Sequence, residues 1–255
     1  MNFSIIPDYN HLEESYAISK EYGVNFEYND FIHSEVYDNL DEINKRIDIY
    51  KSSGRDLTND TMHGAFLGLD LAAEDPVLRN RSRQLMRQSM DIADQMGIRG
   101  VVFHTGLIGE LRLDYYINNW LAEAEIFYRE LATNYPRQTI FLENSFEQEP
   151  DCFEKLMKKM SDVHNFKLCF DYAHAVLTLT SVDDWIEKLA PYIGHMHVND
   201  NDLKDDLHQV PGTGSIDFNH WKKLCDSYHL DVSVLLELKG IDNQLQALNF
   251  MKSIF

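Results

Sequence analysis

Eight short runs of β-branched and aromatic residues, at 3–6, 24–28, 61–66, 100–104, 139–143, 166–171, 194–198 and 232–238, alternate along this chain with longer segments of helical period. Runs of this length suit strands, and a helical segment between successive strands lets them pair in parallel. Eight such units are the count of an α/β chain closed into a (β/α)8 TIM barrel. The rival architecture, an open doubly wound sheet, needs a glycine-rich phosphate turn after its first strand, and "IIPDYNHLEE" has no glycine there. With 255 residues, 44% of them hydrophobic, and no Pro/Gly/Ser-rich linker, residues 1–255 read as one domain. The clearest helix is expected to start at Asp75-Pro76, to carry Leu78, Leu85, Ile92 and Met96 at helical spacing, and to stop at Gly97.

Charge narrows the function classes. A formal net charge of -19 repels polyanions, so nucleic acid is not an expected partner. No run approaches the roughly 20 apolar residues that cross a bilayer, and none of signal-peptide length follows Met1, so no membrane partner and a cytoplasmic location are expected. Cys152, Cys169 and Cys225 are odd in number and far apart, which argues against a disulfide framework or a thiolate zinc site.

His63, His104, Glu143, Asp171, His197 and Glu237 fall at or near the C-terminal ends of six different predicted strands, where barrel enzymes keep their chemistry. Side chains alternate along a strand, so Asp171, His197 and Glu237 form an upper inward layer if their faces point inside, with His195 one layer deeper. Glu143 follows "TIFL", Asp171 follows "LCF" and Glu237 follows "VLL", so each carboxylate crowns an apolar strand. Converging anions need a cation between them. Carboxylates with an imidazole suit Mn²⁺, Mg²⁺, Co²⁺ or Zn²⁺. "PGTGSID" lacks the pattern of a phosphate cradle and reads as a turn into a helix capped by Asp217.

The motifs "HGAF", "VVFHTG", "FLENSFE", "FDYAHA", "HMHVNDND", "DLHQVPGTGSIDF" and "LLELKG" occur in order from Thr61 to Gly240. As a set they resemble the xylose-isomerase-like TIM barrels, which join sugar isomerases and epimerases to the metal-dependent abasic-site endonucleases. The resemblance implies that Glu143, Asp171, His197 and Glu237 are metal ligands. In the endonuclease branch a second metal is held by residues matching His174, Asp206 and His208, which could equally bind substrate hydroxyls as donors. The third metal of that branch takes another histidine shortly before the third helix. This chain reads "GLDLAAEDP" there, so that ligand is expected to be missing, although His104 and Glu143 remain.

The first function expected by resemblance is a metal-dependent isomerase or epimerase of a sugar or sugar phosphate. Glu143 and Glu237 would then be the catalytic proton carriers beside a polarised carbonyl, with His63, His104 and Lys239 contacting the substrate. The alternatives are a metal-dependent phosphodiesterase of the abasic-site endonuclease type and a related sugar-derived dehydratase. The expected partner is a small carbohydrate; spacing is compatible with a homo-oligomer and leaves the metal and the sugar open.

Overall fold

A computed structural model describes residues 1–66, 68–108, 111 and 113–255. Eight strands, β1 Asn2–Ile5, β2 Asn25–Tyr28, β3 Thr61–His63, β4 Gly100–His104, β5 Thr139–Glu143, β6 Phe166–Asp171, β7 Ile193–Val198 and β8 Ser233–Leu236, close into one barrel in sequence order. All eight pairings are parallel, β8 returning to β1. The helices are α1 Leu12–Tyr22, α2 Ser34–Tyr37, α3 Leu40–Lys51, α4 Pro76–Met96, α5 Asp114–Asn134, α6 Asp151–Lys159, α7 Tyr172–Ala175, α8 Val182–Leu189, α9 Phe218–Ser227 and α10 Ile241–Ile254. The fold is thus the single-domain (β/α)8 barrel expected from the alternation. Among the described residues no helix is long and apolar enough to cross a membrane.

Local chemistry explains the boundaries. Asp75 accepts a hydrogen bond from the Val77 amide at the start of α4, and Gly97 ends that helix at φ 71°, in the left-handed region that glycine enters without strain. β3 stops at His63 rather than running to residue 66; the Gly64 amide still reaches the Val102 carbonyl at 2.8 Å, and only glycine fits there, since any Cβ would collide with the Phe103 ring. β8 likewise ends at Leu236, and Glu237 stands just beyond it with its amide bound to the Val198 carbonyl at 3.0 Å.

Apolar side chains fill both layers. Val102, Phe141 and Cys169 pack inside the barrel, and a larger core including Trp120, Trp185 and Trp221 lies between sheet and helices. At about 25 cal/mol per Å² over roughly 200 Å², each buried indole contributes about 5 kcal/mol before entropy is counted. Trp120 also donates to the Thr105 carbonyl at 2.9 Å, fixing α5 beneath the loop that leaves β4.

The register places ligand-type residues at matching heights. His104 is level with Glu143, and Asp171 with His197. The aspartate-rich segment after β7 is a tied loop. Its anchor, Asp200, accepts from the Gly212 and Gly214 amides through Oδ2 (2.8 and 2.9 Å) and from Asn201 and Ile216 through Oδ1 (2.9 and 3.0 Å). Gly214 must be glycine, since a Cβ would meet the Asp200 carboxylate. Asp217 then caps α9 by accepting from Asn219 and His220, both at 3.0 Å.

Candidate metal centre

Three ligand-type groups meet at the C-terminal mouth of the barrel, each with donor atoms lying within 4.8 Å of one another: His63, His104 and Glu143; Glu143, Asp171, His197 and Glu237; and His174, Asp206 and His208. In the first, His63 Nε2 lies 3.2 Å from His104 Nε2, and Glu143 Oε2 lies 3.4 and 3.2 Å from those two nitrogens. Ligands about 2.1 Å from a tetrahedral cation stand about 3.4 Å apart. These separations therefore match a cation's own spacing. No residue of "GLDLAAEDP" joins this group; its second imidazole comes from His63, on β3.

In the second group His197 Nδ1 lies 3.0 Å from Glu143 Oε1 and 3.5 Å from Glu237 Oε2. Asp171 is built into the turn that follows β6. Its Oδ1 accepts the His174 amide at 2.6 Å, while its backbone is clasped by Asn144, which accepts from the Asp171 amide at 2.8 Å and donates to its carbonyl at 2.9 Å. Asp171 Oδ2, Glu143 Oε2 and Glu237 Oε2 are buried without a hydrogen-bond partner. Such atoms are costly unless something charged meets them. A divalent cation fits this donor set.

The third group joins His174 of α7 to Asp206 and His208 of the tied loop. His174 Nδ1 donates to the Asn144 carbonyl at 2.8 Å and His208 Nδ1 to the Glu237 carbonyl at 3.0 Å, so both Nε2 atoms flank Asp206 Oδ2, at 3.3 and 3.1 Å. His63 follows the same plan, donating Nδ1–H to the Gly64 carbonyl at 2.9 Å. Orientation by a backbone carbonyl leaves the other nitrogen aimed at the group. His208 holds φ 47°, a left-handed conformation uncommon for a side chain with Cβ and of the kind found at functional positions.

Charge in this mouth is strongly coupled. Burial works to raise Glu143, but the His197 and His104 imidazoles outweigh it and hold its carboxyl well below the usual range. Burial, with the charges of Glu237 and Glu143 added and only partly countered by His174, pushes Asp171 up to about 7. Burial opposes the charge of His208 too, yet Asp206 and Glu237 raise it to about 9. Without a cation, protons thus take up the space between the anions.

The groups lie at and beneath a cavity of about 1290 Å³, whose lining includes His63, His104, His174, Asp206, His208, Glu237 and Lys239. Lys239 stands at the rim, exposed. His195 is wholly buried a layer below His197, where it contacts Ser233 and Glu27. Glu27 on β2 was not among the residues expected from the sequence. It too is wholly buried, with Oε1 lying 3.1 Å from His197 Nε2. Its signal was available: "NFEY" sets a carboxylate inside an apolar strand, as "TIFLE" does at Glu143.

Residues 20–254 match the family described as the xylose isomerase-like TIM barrel. A curated relative, the probable endonuclease 4 of Aquifex aeolicus, is 24% identical over 211 residues, covering 74% of each chain. Among solved structures, the TTHB071 protein from Thermus thermophilus, from a ZnCl2 soak, superposes with a TM-score of 0.80 at 21% identity, over 100% of this chain and 98% of that one. A D-tagatose 3-epimerase-like protein superposes with a TM-score of 0.77 at 22% identity, over 100% and 97%. At these identities the structural likenesses show the shared fold.

Proposed function

The chain belongs to the xylose isomerase-like TIM barrel family, and from that premise we propose that it is a metal-dependent hydrolase of small phosphate esters, built around a centre for two or three divalent cations. The observation that carries this reading is Glu143. Its Oε1 faces His197 and its Oε2 faces His63 and His104, so one carboxylate is common to two ligand groups. A carboxylate that moves a carbon-bound proton needs an oxygen free to approach it. Glu143 Oε1 is bonded to His197 Nδ1 at 3.0 Å, and Oε2, which has no hydrogen bond of its own, is hemmed in by His63 and His104 at 3.4 and 3.2 Å. A shared carboxylate instead suits two cations roughly 3.5–4 Å apart, the spacing of two-metal phosphoester sites.

Zn²⁺, Mn²⁺, Co²⁺ or Mg²⁺ bound there would supply Lewis-acid neutralisation of a phosphoryl group and an activated water nucleophile. The chain's residues do the positioning. His63 and His104 hold one side of Glu143, and Asp171, His197 and Glu237 the other. His174 from α7, with Asp206 and His208 from the loop anchored by Asp200, closes the triangle, and Lys239 at the rim offers a cation for a further phosphate oxygen.

Substrate size follows from charge. Among the described residues lining the cavity, Lys239 is the sole lysine or arginine, against Asp8, Asp30, Asp206 and Glu237. A duplex, which binds by replacing counterions along many phosphates, gains little at such a surface. A sugar-sized or nucleotide-sized ester with one phosphate suits it. A second reading, the isomerase or epimerase, is favoured by Glu237, which lines the cavity with an unpartnered oxygen able to carry a proton.

The discriminating experiment incubates the Zn²⁺- and Mn²⁺-loaded protein with bis(p-nitrophenyl) phosphate and a panel of sugar phosphates, and in parallel with ketoses in D₂O. Metal-dependent ester cleavage without deuterium uptake is expected, and Glu143→Gln and His63→Gln should each remove it. Deuterium incorporation with the esters left intact would replace this reading by the second. Nicking of an abasic duplex would keep the reaction class but overturn the restriction to small substrates.

A further inference from the structure

His63, His104, His174 and His208 present Nε2 to their groups, whereas His197 turns Nδ1 toward Glu143 and Glu237 and Nε2 toward Glu27. Among the described residues no backbone carbonyl orients it. What decides which nitrogen is bare lies deeper in the barrel.

The logic starts at Arg99, at the opposite end of the barrel. Its guanidinium donates to Ser233 Oγ at 2.7 Å and to the Gly194 carbonyl at 3.1 Å, and arginine has no acceptor. Ser233 Oγ therefore accepts there and sends its hydrogen elsewhere. His195 Nδ1, 2.6 Å away, receives it. His195 must then carry its own proton on Nε2, which faces Glu27 Oε2 at 3.1 Å. That same oxygen accepts from Thr61 Oγ1 at 2.7 Å. The remaining oxygen, Glu27 Oε1, has His197 Nε2 at 3.1 Å. His197 Nδ1 bonds Glu143 Oε1 at 3.0 Å, and once a cation takes that nitrogen the one remaining ring proton belongs on Nε2, facing a carboxylate that only accepts. Two donors, Thr61 Oγ1 and His195 Nε2, converge on Glu27 Oε2, the arrangement that favours the ionised carboxylate.

We propose that a one-way hydrogen-bond chain from Arg99 through Ser233 and His195 ends on Glu27, whose remaining oxygen, 3.1 Å from His197 Nε2 and without a hydrogen bond of its own, draws the proton of His197 to Nε2 and leaves Nδ1 bare for a divalent cation. Glu27 is a positioning residue, acting through His197. The inference rests on a cation at the group of Glu143, Asp171, His197 and Glu237, and holds whichever reaction that cation serves.

The test is the isosteric substitution Glu27→Gln. Thr61 and His195 both donate to the Oε2 position, so the amide must place its oxygen there and turn its NH₂ toward His197 Nε2. Two donors cannot face each other, and His197 is driven to move its proton to Nδ1, where the cation would sit. Carboxylates that orient a metal-bound histidine typically set metal affinity by about 10–100-fold. Chelator-competition titrations of the full chain with Zn²⁺ and Mn²⁺ should show a loss of that size for Glu27→Gln. Thr61→Val, which takes one donor from Glu27 Oε2 but leaves an accepting oxygen facing His197 Nε2, should cost far less affinity than Glu27→Gln. Two-bond ¹H–¹⁵N spectra of the histidine-labelled, Zn²⁺-loaded protein should place the protons of His195 and His197 on Nε2. If Glu27→Gln does not fold, the tautomers of the unsubstituted protein still decide. A proton on Nδ1 of either histidine in the loaded protein overturns the proposal, as does unchanged affinity in a folded Glu27→Gln.

Discussion

Replacing Asp200 with asparagine should both destabilise the protein and dismantle one ligand group. The Asp200 carboxylate is wholly buried and accepts four backbone N–H groups, from Asn201, Gly212, Gly214 and Ile216. Asparagine keeps one oxygen and two of those bonds, and points its NH₂ at the other two donors. Two lost hydrogen bonds to a charged group, at about 1.5–3 kcal/mol each, give about 3–6 kcal/mol. At roughly 2 °C per kcal/mol for a chain of this size, the melting temperature should fall by about 6–12 °C. Asp206 and His208 hang from the same loop, so Asp200→Asn should lose the cation held with His174 while the His63 group keeps its own. Calorimetry of the metal-free protein and elemental analysis of the loaded protein measure the two effects. A drop of only about 1 °C, the scale of a surface substitution, with the full metal complement, would refute the role of Asp200 as anchor.

Other outcomes follow from the same geometry. Arg55→Met should cost about 3–5 kcal/mol, because it strands the wholly buried Asp60 carboxylate now paired with Arg55 at 2.9 Å. Urea titrations at neutral pH should show that loss, and it should shrink in acid, since burial already raises Asp60. EDTA should lower the melting temperature and Mn²⁺ or Zn²⁺ restore it; at a free metal level 1,000 times Kd the gain is about 4 kcal/mol, read as a shift of roughly 8 °C in a thermal scan. In the metal-free protein His208 is raised above its ordinary 6.5 to about 9, so its pairing with Asp206 stabilises fully below pH 6.5 and is lost as pH rises through 9. Melting temperatures of the metal-free protein and of His208→Gln should therefore converge above that window.

The barrel was legible because its periodicity is local. Each strand is an apolar run of a few residues, and α4 announces both ends with Asp75-Pro76 and Gly97. Boundaries slipped at strand ends: β3 ends at His63, and Gly64 after it lies against Phe103, a contact made across 39 positions that no window at residue 64 contains. The site was legible as a collection of strand ends. Two of its groups were implied by the resemblance, but the third was not, because His63 joins His104 and Glu143 only through the pairing of β3 with β4 and of β4 with β5, whereas the resemblance pointed to "GLDLAAEDP" for that histidine. Glu27 escaped for a related reason. It precedes the end of its strand by one residue and lies in the layer of His195, where attention to strand ends does not reach.

The central claim is that Glu143 joins two cation sites, and anomalous diffraction from crystals soaked in Zn²⁺ or Mn²⁺ tests it most directly. The geometry predicts one peak among His63, His104 and Glu143 Oε2 and a second among Glu143 Oε1, Asp171, His197 and Glu237, roughly 3.5–4 Å apart, with a third at His174, Asp206 and His208. A single peak at the Asp171–His197–Glu237 group, with His63 and His104 holding none at saturating metal, would contradict it.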